Sequence, residues 1–454
     1  IRAKDAEASV ESLKGSFSGI GVSFTKQNDT ARIISVIKGG PSEKVGLLAG
    51  DRIVNVDGKD ITAKEITAED CMKLMKGKKG TKVKLGIQRM GEKKPLYYTI
   101  TRGDIPVHSI EATYMLTPET GYVKIKSFSE TTYPELLVAL AELNQKGFKN
   151  LVIDLRDNTG GIMQTAIQMA NIFLPKNRLI LYTEGRKFPR EEYKSDGRGA
   201  FPNLPLTVLV NEGSASASEI VSGALQDWDR AIIVGRRSFG KGLVQRQYLL
   251  PDGSALRLVI ARYHTPSGRE IQRPYVKGGD RTAYRTHSLP DTIPSPAYRT
   301  LRTGRTVYGG GGIAPDVCVI QDTVQASYLN ALLRKNIFPE FMQHYLDRTR
   351  AALERDYPEF ASFEERFEVP DEMYEELIGL GLEQGVTPPA EDSDVEAGTR
   401  RLLKALLAER LFDREALLRI LHARDDADFI RALNLLKNWE AEGLPLLEAQ
   451  HERQ

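Results

Sequence analysis

Between residues 104 and 320, short apolar runs alternate with helical stretches, and that alternation constrains the fold of this chain more than any other feature. The runs are Gly121–Ile125, Leu151–Leu155, Leu179–Tyr182, Leu206–Val210, Ala231–Val234 and Leu256–Ala261. The helical stretches are Thr132–Gln145, Met163–Phe173 and Ser216–Trp228. Strands alternating with helices pack as an α/β layer structure. Residues 17–103 read differently. Gly19, Gly21, Gly39, Gly40, Gly50 and Gly58 punctuate them, and Ala31–Ile37 and Val83–Gln88 partly alternate apolar with polar residues, as half-buried strands do. Thr67 and Asp70 have capping-box spacing for a short helix with Cys71, Leu74 and Met75 on one face.

Residues 275–312, rich in Arg, Thr, Pro and Gly, read as a long surface loop. Beyond 320 the strand signal fades. Helical spacing appears in Leu402–Leu411 and Ala416–Leu421, while Pro388, Pro389 and the acidic stretch Glu391–Glu396 mark a linker. The expected organisation is a multidomain α/β chain: residues 1–16 as the remnant of an N-terminal region, a β-rich module at 17–103, a core at 104–320 and a helical region at 321–454. A length of 454 residues suits two to four domains.

Composition excludes more than it proposes. Lys plus Arg number 63 and Asp plus Glu 61, a net charge of +2, so nothing favours nucleic acid or an anionic membrane as partner. No apolar run reaches the length of a membrane-spanning helix. Cys71 and Cys318 lie far apart, without a metal-binding pattern, and read as two buried free thiols. No metal or organic cofactor is expected. Beginning at Ile1 rather than Met, the chain reads as truncated or processed.

Three segments carry chemistry. Asn211–Glu219, NEGSASASE, follows a strand and opens a helix. A serine there caps free amides or, beside those amides and the helix dipole, serves as a nucleophile. Ser238–Gln245, SFGKGLVQ, sets Lys241 between two glycines. A lysine is ordinarily a solvated charge; close packing that buries it lowers its pKa and lets the neutral amine take a proton from a serine. Gln245, four residues on, has the reach to orient that amine. Asp154–Gly161, DLRDNTGG, ends a strand in a glycine pair. It is either a plain turn or a source of backbone donors that, with the Ala217 amide, form an oxyanion hole.

Taken in order, these segments resemble the C-terminal processing peptidases, the tail-specific proteases of the S41 class. The resemblance runs from about Phe17 to Asp316. It also takes in FSGIGVSF at Phe17–Phe24, GPSEKVGLLAGDRIVNVDG at Gly40–Gly58, GYVKI at Gly121–Ile125, TPSGREIQ at Thr265–Gln272 and GGIAPD at Gly311–Asp316. It implies a crotonase/ClpP-like α/β protease core with an inserted PDZ-like domain. It further implies a serine endopeptidase with Ser216 as nucleophile, Lys241 as general base, Gln245 supporting the lysine, and Ala217, Gly160 and Gly161 supplying oxyanion amides. Set against that resemblance, the helical segment that usually precedes the PDZ part reads as mostly missing from this sequence. In bacteria such proteins work outside the cytoplasm, which makes the periplasm or cell envelope the expected location.

Rival arrangements are weaker. A Ser-His-Asp triad would need His108 or His264, and His264 reads as a packing residue. Asp227 lies about 16 Å along the helix from Ser216 and reads as structural. A non-catalytic scaffold and a crotonase-type acyl-CoA enzyme are the other readings, and neither uses a Ser/Lys pair. In the PDZ-like module, the turn with Gly19, Ile20 and Gly21 is expected to hold a peptide carboxylate. An apolar terminal side chain would sit among Ile20, Val22 and Leu74. Arg102, at the hinge into the core, is the candidate relay of tail binding to the active site. The expected partners are proteins or peptides with accessible C-termini; the helical region is expected to join a homodimer or bind an adaptor.

Overall fold

Six strands form the central sheet of the computed structural model, in the order Val317–Cys318, Ile232–Gly235, Leu206–Val210, Asn150–Asp154, Thr120–Ile125 and Ile110–Met115. All neighbours run parallel except the last pair. The described residues are 1–2, 11, 13–27, 29–37, 39–274, 296–320, 323–389, 393–422 and 426–448. Successive strand residues face opposite sides, and here both sides are covered. Val123, Ile153, Val208 and Ile233 pack against the helices Thr132–Gln145, Met163–Phe173 and Ala217–Asp227. Their neighbours Tyr122, Val152, Leu209 and Val234 share a core with the C-terminal helices through Phe338, Leu403 and Phe429. Parallel strands buried on two faces read as unbroken apolar runs. That is why Leu206–Val210 and Ile232–Gly235 were legible as strands.

The C-terminal helices therefore close the second face of the sheet rather than forming an independent bundle. Their seam with the core is polar as well as apolar. Asp154, fully buried, accepts from Tyr122 at 2.9 Å and pairs with Lys124 at 3.1 Å and Arg156 at 2.6 Å. Arg156 continues to Asp426 at 2.6 Å, and Asp428 meets Arg236 at 3.0 Å. Burial alone would raise the Asp154 carboxyl, but Arg156 and Lys124 hold it well below its ordinary range. In the same seam His422 contacts the Tyr114 hydroxyl at 2.7 Å and stacks on Phe429.

Burial pushes His422 down to about 4. A histidine depressed in the folded state binds its proton more readily once unfolded, so stability falls as pH drops from about 6.5 towards about 4. Between pH 7 and 5, the protein should lose about 2 kcal/mol of unfolding free energy that the His422→Phe variant keeps. Denaturant titrations at the two pH values check this; equal losses for both proteins would exclude the histidine as the cause.

A second sheet is antiparallel, in the order Phe188–Lys194, Leu179–Gly185, Ala255–His264 and Leu243–Leu249. The expected 275–312 loop needs correction in its second half. Ala297–Arg299 and Thr306–Tyr308 pair as a short hairpin, while 275–295 lie outside the described residues. Part of the expected acidic linker also belongs to a helix, since Ser393–Leu411 includes Asp394 and Glu396. Cys71 is buried as expected, but Cys318 is exposed at the sheet edge.

The N-terminal module has its own core around Ile33, Ile53, Leu85 and Cys71. Its main strands run in the order Val22–Gln27, Thr30–Val36, Arg52–Val56, Lys82–Gln88 and Leu96–Thr101. The helix Ala68–Met75 opens on the expected capping box, with Thr67 and Asp70 exchanging hydrogen bonds. The chain enters and leaves through one antiparallel ribbon, Ser16–Gly19 against Gly103–Pro106. The module also touches the C-terminal helices, where Arg32 meets Asp347 at 2.6 Å.

Candidate active site

Ser216 ends the turn that leads from the strand Leu206–Val210 into the helix Ala217–Asp227. Its φ is +56° and its ψ −110°, a conformation that L-residues other than glycine rarely adopt. Strain of this kind persists where surrounding bonds over-determine it, and they do so here. The Ser216 amide donates to the Glu219 carboxylate at 2.8 Å, and its carbonyl accepts from the Tyr263 hydroxyl at 3.1 Å. Gly160 packs beneath the turn: a Cβ there would lie 2.6 Å from the Ala215 carbonyl and 2.8 Å from the Ser216 Cβ. Only glycine fits.

The same two residues hold the lysine turn. Glu219 also accepts from the amides of Gly240 at 2.7 Å and Lys241 at 2.9 Å, and from the Ser238 hydroxyl at 2.6 Å. Tyr263 donates to the Lys241 carbonyl as well, at 2.7 Å. Glu219 and Tyr263 are buried, so one carboxylate and one phenol staple two turns far apart in sequence. Burial raises the Glu219 carboxyl, and the donors from Ser238, Lys241, Ser216 and Gly240 counter that rise. Sequence reading passed over both residues. Glu219 stands inside the NEGSASASE segment, where a carboxylate three residues past a helix-opening serine is a capping-box signal. Tyr263 had no local signal.

Ser216, Lys241, Gln245, Gly160 and Gly161 all line one cleft of about 560 Å³. Burial, reinforced by the charge of Arg257, pushes the Lys241 ammonium below its ordinary value, while Glu219 pulls the other way. Gln245 lines the cleft from an exposed position in the strand Leu243–Leu249. No hydrogen bond joins it to Lys241 among the described residues, so the expected contact is not made here.

The oxyanion expectation narrows. The Gly160 amide is already engaged, donating to the Asn158 side chain at 2.9 Å. The amides of Gly161 and Ala217 have no acceptor among the described residues. Gly161 has φ +150°, and a Cβ on it would collide with the Phe128 carbonyl. Asn158 itself ties this loop to the serine turn, its carbonyl accepting from the Ala215 amide at 2.9 Å and the Ser218 hydroxyl at 2.8 Å.

Residues expected to be structural are so. Asp227 pairs with Arg269 at 2.5 Å, with both side chains fully buried. His264 stacks on Tyr182 with centroids 4.6 Å apart.

In the N-terminal module, the strand Val22–Gln27 has a neighbour on one side only among the described residues. The amides of Ile20 and Gly21 have no acceptor among the described residues. Ile20 is buried at 3% exposure within the module's core, so its amide rather than its side chain is what it offers a ligand. Val22 and Leu74 are half-buried beside it. Gly19 pairs with Gly103 in the ribbon. Arg102 is spent within the module, donating to the carbonyls of Met75 at 2.8 Å, Leu74 at 2.9 Å and Lys82 at 3.2 Å. Those are the contacts of a helix cap.

The cleft thus brings Ser216 and Lys241 together in the α/β core, beside a separate β-rich module. Residues 119–279 match peptidase family S41 and residues 18–99 match the PDZ domain. Residues 328–413 match a family of unknown function. The carboxy-terminal-processing protease of Bartonella bacilliformis is 40% identical over 277 residues, covering 60% of this chain and 62% of that one. The carboxy-terminal processing protease CtpA of Bacillus subtilis is 36% identical over 306 residues, covering 67% and 64%. Among solved structures, the photosystem II D1 C-terminal processing protease aligns over 71% of this chain and 78% of that one, at 27% identity and a TM-score of 0.38. The match to peptidase family S41 covers residues 119–279 of the 454, and the chain spans a little over three fifths of the length of the curated relatives named here.

Proposed function

We propose that the protein is a serine endopeptidase that cuts protein substrates presented through their C-terminal tails. The observation that carries the reading is the double staple. Glu219 and Tyr263 hold the Ser216 and Lys241 turns together on one cleft, in surroundings that favour the neutral amine. In the proposed reaction the Lys241 amine takes the Ser216 proton as the hydroxyl oxygen attacks the scissile carbonyl. The amides of Ala217 and Gly161 receive the oxyanion. Collapse breaks the C–N bond, Lys241 returns the proton to the leaving amine, and an acyl-enzyme on Ser216 remains. Lys241 then takes a proton from water as it attacks the ester, and returns that proton to the Ser216 oxygen as the C–O bond breaks and the new C-terminus leaves.

The PDZ domain supplies selection in this reading. A substrate tail adds a strand to the edge of Val22–Gln27 away from Thr30–Val36, with its carboxylate at the Ile20 and Gly21 amides and its last side chain against Val22 and Leu74. Dimerisation or adaptor binding through the C-terminal helices, and a setting in the cell envelope, belong to the same proposal. Sizing in solution and cell fractionation test these.

The direct experiment compares an unfolded substrate carrying a free apolar C-terminus with its amidated twin. Amidation removes the charge that the two amides would bind and should slow cleavage at limiting substrate by roughly 10-fold. Equal rates would rule out tail recognition. Cleavage surviving in Ser216→Ala would rule out the nucleophile.

A further inference from the structure

Both tryptophans of the chain, Trp228 and Trp439, line a second cavity of about 530 Å³ that shares no lining residue with the catalytic cleft. It lies where the segment following the helix Ala217–Asp227 meets the last C-terminal helices. Arg178, Arg230 and Arg302 line it too, and none of the three pairs with a carboxylate among the described residues. Arg178 lies 4.7 Å from the Trp228 ring centroid. Arg230 donates to the carbonyls of Phe173 at 2.8 Å and Phe201 at 2.7 Å, while Arg302 reaches the Asp229 carbonyl at 3.4 Å.

Among the described residues, Asp229 is the sole carboxylate in the lining, and it is already engaged. Its Oδ1 accepts from Arg305 at 2.7 Å and its Oδ2 from the Thr303 amide at 2.9 Å. Burial, reinforced by the charge of Arg302, pushes the Arg230 guanidinium down to about 10. Like charges gathered in a partly buried site cost free energy that a bound anion removes. The remaining walls are largely apolar, and the volume is that of a small-ligand site.

We propose that this cavity binds a small amphipathic anion, its carboxylate or phosphate held by Arg230 and Arg302 and its apolar body lying against Trp228 and Trp439. Guanidinium forks match both headgroups, so the two sources must be separated by experiment. Because the chain has no other tryptophan, its indole emission reports on this cavity.

The probes are 4-(4-bromophenyl)butanoate, 3-(4-bromophenyl)propyl phosphate and the neutral 4-(4-bromophenyl)butan-1-ol, whose bromine quenches indole emission. Saturable quenching is expected from at least one anion, with the alcohol roughly 10-fold weaker or more. Quenching by the carboxylate alone, the phosphate alone or both assigns the headgroup. Arg302→Gln should weaken binding by roughly 10-fold; Arg302 is exposed and its one hydrogen bond among the described residues is a long main-chain bond, so its loss spares the fold. Arg178→Gln serves as a second variant. The proposal falls if neither anion saturates, if the alcohol binds as tightly, or if both variants bind like the parent.

Discussion

Lys241→Ala should lower hydrolysis of an unfolded, casein-like protein by at least ~10³-fold, while His264→Ala should keep most of the activity. The contrast follows from where the two side chains sit. Lys241 lines the cleft with Ser216, whereas His264 is stacked on Tyr182 in the antiparallel sheet. Lys241→Arg is also expected to be inactive, because a guanidinium does not give up its proton near neutral pH. The pH profile carries the sign of the mechanism. A general base must be neutral, so kcat/KM rises with pH as the ammonium deprotonates. Burial and Arg257 bring that step below the ordinary lysine value, and the midpoint of the rise should lie below about 10.4. A midpoint at or above the ordinary value, or an active Lys241→Arg, would overturn the assignment of the base.

The second large effect belongs to Glu219. Its carboxylate accepts from three backbone amides and one hydroxyl, and it is fully buried. Glu219→Ala leaves those donors without an acceptor. At about 1–3 kcal/mol for each buried group left unpaired, the loss is roughly 4 kcal/mol or more, a fall in Tm on the order of 10 °C. Activity should fall by about 10²-fold even where the fold survives, since the serine and lysine turns lose their common anchor. Glu219→Gln separates the two consequences. One amide oxygen still accepts from some of the donors and recovers part of the stability, but the NH₂ opposes the others and the turns stay misplaced. Thermal melts and initial rates on both variants test this. A Glu219→Ala protein with unchanged Tm and rate would remove Glu219 from the site.

Many strands and helices of the core were legible because they carry a local signature, whereas Ile110–Met115, Phe188–Lys194 and Leu243–Leu249 were not read as strands. Leu151–Leu155 and Leu206–Val210 are apolar runs, and Thr132–Gln145 and Met163–Phe173 coincide with observed helices. The second half of the 275–312 stretch misled because Arg, Thr, Pro and Gly signal a loop even where six of its residues pair as a hairpin. Ser216 and Lys241 were legible as motif residues in glycine- and serine-rich turns. The engagement of the Gly160 amide was not, because its acceptor, Asn158, competes by a side-chain bond that no spacing rule reports. Arg102 looked like a hinge from its position, yet its hydrogen bonds all close on the PDZ module itself.

By itself, the sequence marked many of the core strands and helices and where the serine and lysine turns fall, and it carries a match to the PDZ domain ahead of a match to family S41. Periodicity, turn chemistry and motif order are local properties, and they survive in a linear string. Only the tertiary structure decided that Glu219 and Tyr263 bind the two turns together, that the C-terminal helices close the back of the sheet, and that three arginines converge beside the two tryptophans. Each of these depends on burial and on hydrogen bonds between residues far apart in the chain, which no one-dimensional pattern records.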